Sequence, residues 1–84
     1  MENIKADQAL DCIGLYCPMP IVKTAERIKE LKSGEVLEIT ADDKGIKHDM
    51  PAWCQATGNE CVGIIEESGG EIKVYVKKGI KDKE

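Results

Sequence analysis

The C-terminal part of the sequence constrains the fold most, because it predicts a β-hairpin. Two runs rich in β-branched residues, 61–67 and 71–78, flank a Ser-Gly-Gly turn at 68–70. In the second run apolar and polar side chains alternate, with Ile72, Val74 and Val76 set against Lys73, Tyr75 and Lys77. Alternate residues of a strand point to opposite faces. The chain must therefore contain a sheet with one apolar face that the remaining residues have to cover.

Two upstream segments are suited to covering that face. In the segment 20–34 apolar residues recur at three- and four-residue steps, which predicts an amphipathic helix ending at Ser33-Gly34. The recurring residues are Ile21, Ala25, Ile28 and Leu31. The segment 48–58 predicts a second, shorter helix, with Asp49 as its cap, Pro51 in its first turn and Gly58 at its end. Met50, Trp53, Cys54 and Thr57 would share one side of it.

Two further strands complete the predicted order. Residues 9–14 and 35–42 both alternate apolar with acidic positions, and the turn 42–45 follows the second run. The order β-α-β-α-β-β predicts an α/β (α+β) two-layer sandwich in one domain, 1–84. Its four-stranded mixed sheet would carry both helices on one face. The other face must be polar or covered, which leaves a homodimer open.

The bulk composition excludes several classes of protein. The 84 residues are 42% hydrophobic and carry a formal net charge of −4, which disfavours nonspecific nucleic-acid binding. The absence of a signal peptide and of a long apolar run predicts a cytoplasmic protein without membrane insertion. Four cysteines without CxxC spacing are then expected to be thiols, and no metal or other cofactor is indicated.

The segment Cys17-Pro18-Met19-Pro20 is the strongest candidate site. Prolines suit the first turn of a helix because their missing N–H would have no partner there. Pro18 and Pro20 would therefore form a rigid corner between strand and helix, with Cys17 at its tip. The positive end of a helix lowers the pKa of a nearby thiol. The competing interpretation is an inert core cysteine, which is the commoner fate of this residue type.

Missing residues narrow the chemistry at Cys17. The only histidine, His48, lies between two charged residues and is most simply solvated, so a hydrolase would lack its base. A dithiol oxidoreductase would need a second cysteine where Met19-Pro20 stands. What remains is a thiolate that accepts a group, holds it and passes it on, and sulfur is a natural cargo.

Nearly the whole chain resembles the TusA/SirA family of small sulfur carriers. The resemblance lies in three blocks, LDCIGLYCPMPIVK (10–23), LKSGEVLEITADDKG (31–45) and DMPAWCQATGNE (49–60). Asn59 departs from the histidine that is frequent in relatives. The resemblance implies that Cys17 takes up sulfane sulfur as a persulfide, from thiosulfate or a protein persulfide, and relays it to a partner protein. It indicates a sulfurtransferase without settling that the protein is an enzyme.

Family members serve several pathways, which the sequence leaves open. One alternative is an accessory subunit of a YeeE-type membrane transporter for thiosulfate, the role of the soluble protein called YeeD. Among supporting residues, Asp11 would orient the loop or be an exposed acid. Lys23 and Arg27 would attract an anionic donor or, the favoured interpretation, solvate the helix. Cys54 is assigned to the core, and Cys12 would be a resolving thiol only if it reached Cys17.

Overall fold

A computed structural model describes residues 5–16 and 19–79 of the chain. It contains the six predicted elements in the predicted order. They are β1 (Gln8–Asp11), α1 (Met19–Ile28), β2 (Val36–Ala41), α2 (Ile46–Thr57), β3 (Glu60–Glu66) and β4 (Ile72–Lys77). Cys17 and Pro18 lie outside the described residues, between β1 and α1.

The four strands form one mixed sheet in the order β1-β2-β4-β3. β1 runs parallel to β2, as expected for strands joined through a helix, and β4 pairs antiparallel with both β2 and β3. The prediction of a four-stranded mixed sheet is confirmed. The parallel pair places the C-terminal ends of β1 and β2 at the same edge of the sheet, where the chain enters the loop before Cys17.

The core lies between the sheet and the two helices. Alternate residues of β2 and β4 are buried on that side, and α1 and α2 contribute apolar residues from above. The buried strand residues are Leu37, Ile39, Ala41, Ile72, Val74 and Val76; the helices and their ends add Ile28, Leu31, Ile46, Met50 and Cys54. All belong to a single cluster, so both helices pack on one face, as predicted.

The opposite face carries a buried residue that alternation alone did not predict. Tyr75 pairs with Glu38 across β4 and β2, and only 7% of its surface is exposed. Its hydroxyl donates to Oε2 of Glu38 at 2.7 Å. This hydrogen bond, followed by burial and by the negative charge of Glu38, raises the pKa of Tyr75 to about 12.

The hairpin of β3 and β4 is confirmed, with an irregularity in β3. Register shifts between Cys61 and Gly63, so Val62 has no counterpart on β4. The turn closes with the Glu67 amide donating to the Glu71 carbonyl at 2.8 Å. Gly69 and Gly70 both have positive φ, which the Ser-Gly-Gly sequence makes available.

The predicted extent of α1 was wrong at its C-terminus. Regular helix ends at Ile28, and the following amides of Glu30 and Leu31 bond three residues back instead of four. The buried stripe also differs by one position, because Pro20 and Thr24 are buried where Ile21 and Ala25 are half-buried. Residues after Ile28 keep the apolar spacing of a helix without its hydrogen bonds, so periodicity overestimates its length.

The predicted start of α2 was also wrong. The helix begins at Ile46, and Asp49 lies within its first turn rather than at its cap. Asp43 serves the helix start instead: its carbonyl accepts from Ile46 and its Oδ1 accepts from Gly45. Pro51 consequently stands inside the helix. Gly58 ends the helix, as predicted, and has a left-handed conformation. Of the four residues predicted to share one side of this helix, Thr57 is exposed.

Candidate functional site

The candidate site is the loop from Cys12 to Tyr16 together with the start of α1. Contrary to the predicted strand 9–14, β1 ends at Asp11, and the residues after it form turns. Cys17 and Pro18, the centre of the predicted site, are outside the described residues. The structure therefore shows the two flanks of Cys17, which reach Tyr16 on one side and Met19 on the other.

Backbone hydrogen bonds fix the flank that precedes Cys17. The Cys12 amide donates to the Thr40 carbonyl at 2.7 Å and extends the β1–β2 ladder by one residue. The Leu15 amide donates to the Cys12 carbonyl at 3.1 Å. Gly14 has φ +86°, a left-handed conformation that suits glycine. The chain reverses here before it reaches Cys17.

Two carboxylates accept hydrogen bonds from two further amides of this flank. Asp11 Oδ1 accepts from the Ile13 amide at 3.0 Å, and Asp42 Oδ1 accepts from the Gly14 amide at 3.1 Å. The first contact joins Asp11 to the loop, and the orienting role of Asp11 stays a prediction. The second was missed, because the acidic turn 42–45 is 28 positions away from Gly14 and nothing in the spacing connects them.

The flank that follows Cys17 begins directly with helix. The Met19 amide donates to the Tyr16 carbonyl at 2.8 Å, so the two described residues around Cys17-Pro18 are hydrogen-bonded. Pro20 is the second residue of α1 and is buried. The N–H groups of the first helical turn have no carbonyl to bond within the helix, so a proline at this position costs no hydrogen bond. A helix N-terminus therefore lies two residues after Cys17 in the chain.

The two basic residues predicted near the site differ in their contacts. Arg27 Nη1 donates to the Ala9 carbonyl at 3.3 Å, which joins α1 to β1, and its Nε lies 4.0 Å from Glu30 Oε1. Lys23 is exposed, one turn closer to the start of α1. Burial raises the pKa of the Cys12 thiol, and the positive charges of Lys23 and Arg27 oppose part of that rise. Arg27 thus has a structural contact in addition to its charge.

The other three cysteines are wholly or partly buried, and their thiols are less easily ionised for that reason. Cys12 and Cys54 are buried and Cys61 is half-buried; none is in a disulfide. Burial raises the pKa of all three thiols, to about 12 for Cys54, where the nearby Cys61 adds to the effect. A thiol with a raised pKa stays protonated and unreactive at neutral pH. The prediction that Cys54 belongs to the core is confirmed.

Exposed apolar side chains concentrate in the sequence on either side of Cys17. Within the described ranges, four of the six large hydrophobic residues that are exposed lie between positions 13 and 22. We call them the loop patch: Ile13 (41% exposed), Tyr16 (77%), Met19 (41%) and Val22 (42%). The other two, Ile64 and Ile65, are on β3. Clustered exposed apolar residues are a feature of protein-binding surfaces.

Metal ligands are not grouped in the part of the chain that the structure describes. No cluster of three or more histidine, cysteine or acidic residues is found there. Over the same residues, neither helix has the length and apolar character that crossing a bilayer requires.

Comparisons with known proteins converge on one family. A family model described as Sulfurtransferase TusA matches residues 8–78. The chain is 40% identical over 72 residues to the sulfur carrier protein TusA of Allochromatium vinosum, covering 86% of this chain and 93% of that protein. It is 43% identical over 76 residues to the putative sulfur carrier protein YrkI of Bacillus subtilis, and the match covers 90% of this chain and 100% of YrkI.

One relative is considerably longer than this chain. YrkF of Bacillus subtilis is 51% identical over 76 residues, which are 90% of this chain and only 40% of YrkF. Among solved structures, a SirA-like protein of Desulfitobacterium hafniense superposes with a TM-score of 0.76. That match covers 86% of this chain and 97% of the other at 22% identity, and it shows a shared fold.

Proposed function

Because the chain belongs to the TusA/SirA family of sulfur carriers, we propose that Cys17 accepts sulfane sulfur as a persulfide and relays it to a partner protein. The observation that carries this proposal is the contrast among the cysteines. Cys12, Cys54 and Cys61 have thiol pKa values raised by burial. Cys17 alone precedes a helix N-terminus, which favours a thiolate.

The transfer is redox-neutral with either of two donor classes. With a protein persulfide, the Cys17 thiolate attacks the outer sulfur; an S–S bond forms on Cys17 and the donor leaves as a thiolate. With thiosulfate, the thiolate attacks the sulfane sulfur and sulfite departs. Handing the sulfur to an acceptor thiolate repeats the first step in the opposite direction. No cofactor is needed, and the proposed activity is that of a sulfurtransferase.

The supporting residues act on the position of Cys17 in this proposal. Pro18 and Pro20 stiffen the start of the helix, and Asp11 holds the Ile13 amide. Lys23, which is exposed, supplies a positive charge for an anionic donor, while Arg27 joins α1 to β1. The loop patch supports a protein as donor or acceptor, because its exposed apolar side chains stand on both sides of Cys17 in the sequence.

The test is intact-mass spectrometry after incubation with thiosulfate, or with a cysteine desulfurase and cysteine. The wild-type protein should gain about 32 Da for each sulfur atom bound. Cys17→Ser should gain nothing, while Cys61→Ser, which removes the half-buried thiol, should load like the wild type. An adduct of undiminished yield on Cys17→Ser would refute the assignment.

A second function is supported by the same resemblance, namely a subunit of a membrane transporter for thiosulfate. In that role the protein would dock on the transporter from the cytoplasm and receive or decompose the imported anion. The two functions differ in their dependence on Cys17. Thiosulfate uptake that is unchanged in cells carrying Cys17→Ala would favour docking without chemistry; uptake lost in that variant would favour sulfur transfer.

A further inference from the structure

Outside the loop patch, the large apolar side chains that are exposed within the described ranges both lie on β3. Ile64 (36% exposed) and Ile65 (40%) are neighbours on this strand, which forms one edge of the sheet. Ile64 pairs with Val74 and points to the helix side, whereas Ile65 pairs with Lys73 and points to the face without helices. Both sides of this edge therefore present exposed apolar surface.

The face of the sheet without helices is mostly closed by its own polar side chains. Tyr75 fills its centre and is bonded to Glu38, and the neighbouring Lys73 and Lys77 are half-buried. The sequence left a homodimer open as a cover for this face. The exposed apolar surface lies instead at the edge of the sheet, on β3.

Main-chain groups of β3 have the orientation that a further strand requires. In an antiparallel pair, residues that bond the neighbouring strand alternate with residues whose N–H and C=O point away from it. The Glu67 amide bonds to the Glu71 carbonyl, so Glu67 is directed toward the β4 side of the hairpin. By alternation Ile65 is directed the same way. Ile64 and Glu66 consequently present their N–H and C=O groups to the outside of the sheet.

The two edges of the sheet differ in their protection against strand addition. β1, the other edge strand, has only four residues, and Arg27 Nη1 donates to the carbonyl of its Ala9. β3 has seven residues, and they include neither lysine nor proline, the residue types that commonly protect an edge. Strand addition is therefore favoured at β3.

We propose that β3 is the contact surface of a homodimer, in which two copies pair their β3 strands antiparallel about a two-fold axis at Ile65. Ile65 then lies opposite Ile65 of the second copy, and Ile64 lies opposite Glu66. The outward N–H and C=O groups of Ile64 and Glu66 bond across the axis and join the two sheets into one. This contact is independent of the proposed chemistry at Cys17.

Charge and register favour a second copy of this chain as the added strand. Glu66, the acid next to the axis, is already paired with Lys47, whose Nζ lies 2.6 Å from its Oε2. The residue opposite Glu66 is the apolar Ile64, so like charges do not face each other directly. A two-fold axis at Gly63 would instead place Glu60 opposite Glu66, which is unfavourable.

Sedimentation equilibrium of the full chain in reducing buffer tests this contact. The average mass should rise from the 9.2 kDa of the monomer toward twice that value as the concentration increases from about 10 µM to about 1 mM. Ile65→Lys should raise the dissociation constant about tenfold or more, because like charges then meet at the axis. Ile64→Lys, which faces Glu66, should have a smaller effect. Val22→Lys, at a comparably exposed residue (42%) of the loop patch, should have none.

Amide hydrogen exchange in the wild type provides a test without substitutions. The Ile64 and Glu66 amides point outward, so their exchange should slow at least about threefold between dilute and concentrated protein. The Ile65 amide is directed toward β4 in monomer and dimer alike, so its exchange should change less.

A mass that stays at the monomer value up to about 1 mM would overturn the homodimer and leave the β3 edge to a strand of a different protein. A larger effect of Ile64→Lys than of Ile65→Lys would overturn the proposed axis. Loss of self-association in Val22→Lys would move the contact to the loop patch, and unchanged exchange at Ile64 and Glu66 would exclude β3. These readouts involve no sulfur donor, so failure of the protein to load sulfur would reject the proposed function separately.

Discussion

At the scale of single residues, burial determines how easily each cysteine thiol is ionised. Cys12, Cys54 and Cys61 have raised thiol pKa values because they are wholly or partly removed from water. The sequence correctly assigned Cys54 to the core from the burial tendency of cysteine. It placed Cys12 in the predicted strand 9–14 without orienting it, and the structure has Cys12 just after β1 and buried. Tyr75 was missed as a buried residue because strand alternation does not reveal a partner such as Glu38.

The hydrogen bond between Tyr75 and Glu38 predicts a loss of stability at high pH. The pKa of Tyr75 is raised to about 12, against about 10 in an unfolded chain. Between these values the unfolded state loses the phenolic proton while the folded state keeps it, so the free energy of unfolding falls as pH rises. Urea unfolding over this range should show a shallower decline in Tyr75→Phe than in the wild type.

A spectrophotometric titration isolates the same group. In a Tyr16→Phe background Tyr75 is the only remaining tyrosine, and its phenol should ionise near pH 12. Ionisation near pH 10 would contradict the hydrogen bond to Glu38, as would equal slopes of stability against pH in the wild type and Tyr75→Phe. Near neutral pH, Tyr75→Phe should lose about 1 kcal/mol of stability, the usual net value of such a bond.

At the scale of elements, the sequence predicted which segments form helix and strand better than where they end. The hairpin was recovered from its two β-rich runs and the Ser-Gly-Gly turn between them, and the central strands β2 and β4 also from the alternation of their apolar residues. Helix ends depended on local hydrogen bonds that periodicity does not report. Asp43, not Asp49, serves the start of α2, and the turns after Ile28 bond three residues back.

The contact between the end of β4 and the end of α2 predicts a strong effect at one glycine. A Cβ on Gly79 would overlap the carbonyl oxygen of Gly58 and lie 2.9 Å from its carbonyl carbon. Both are backbone atoms of the turn that ends α2, so the clash cannot be relieved by rotating a side chain. Gly79→Ala should destabilise the protein by about 2 kcal/mol or more in chemical denaturation.

Gly69→Ala is the appropriate control for Gly79→Ala. It meets no atom within 4 Å and costs only the strain of a left-handed φ of +94°, about 1 kcal/mol. If Gly79→Ala is no more destabilising than Gly69→Ala, the close approach of β4 to the α2 terminus is not as described. The sequence did not predict that Gly79 is a packing position, because there this glycine resembles the start of a polar tail.

At the scale of the whole molecule, the candidate site lies at one edge of the sheet. The loop before Cys17 follows the C-terminal end of β1, and Asp42, which accepts from the Gly14 amide of that loop, follows the C-terminal end of β2. The Met19 amide at the start of α1 bonds to the Tyr16 carbonyl of the same loop. The corner predicted from Cys-Pro-Met-Pro includes Cys17 and Pro18, which lie outside the described residues, so it stays a prediction. The sequence did not predict the hydrogen bond from Gly14 to Asp42, because that bond depends on which segments the fold brings together.

The loop patch predicts a difference between protein donors and small donors. If a protein partner docks on it, Tyr16→Ser should lower the rate of sulfur transfer from a cysteine desulfurase about tenfold, as expected for an exposed aromatic anchor. Loading from thiosulfate should be unchanged, because the anion needs no apolar surface. Ile65→Ser, at an exposed apolar residue on β3, is the control and should affect neither rate.

Equal effects of Tyr16→Ser on both donors would contradict docking through the loop patch. Such a result would mean that the substitution acts on Cys17 itself. Slowing by Ile65→Ser of transfer from the desulfurase would place the contact elsewhere on the surface.

The most direct test of the whole account is to locate the sulfur on the loaded wild-type protein. After incubation with donor, alkylation and chymotryptic digestion, which cuts after Tyr16 and separates Cys12 from Cys17, fragmentation of the peptides by mass spectrometry locates the modification among the four cysteines. The account predicts a persulfide on the peptide containing Cys17, with Cys12, Cys54 and Cys61 recovered as plain thiols, and loss of the modification when an acceptor thiol is added. Sulfur distributed over Cys61 or Cys12, or retained on Cys17 in the presence of the acceptor, would contradict it.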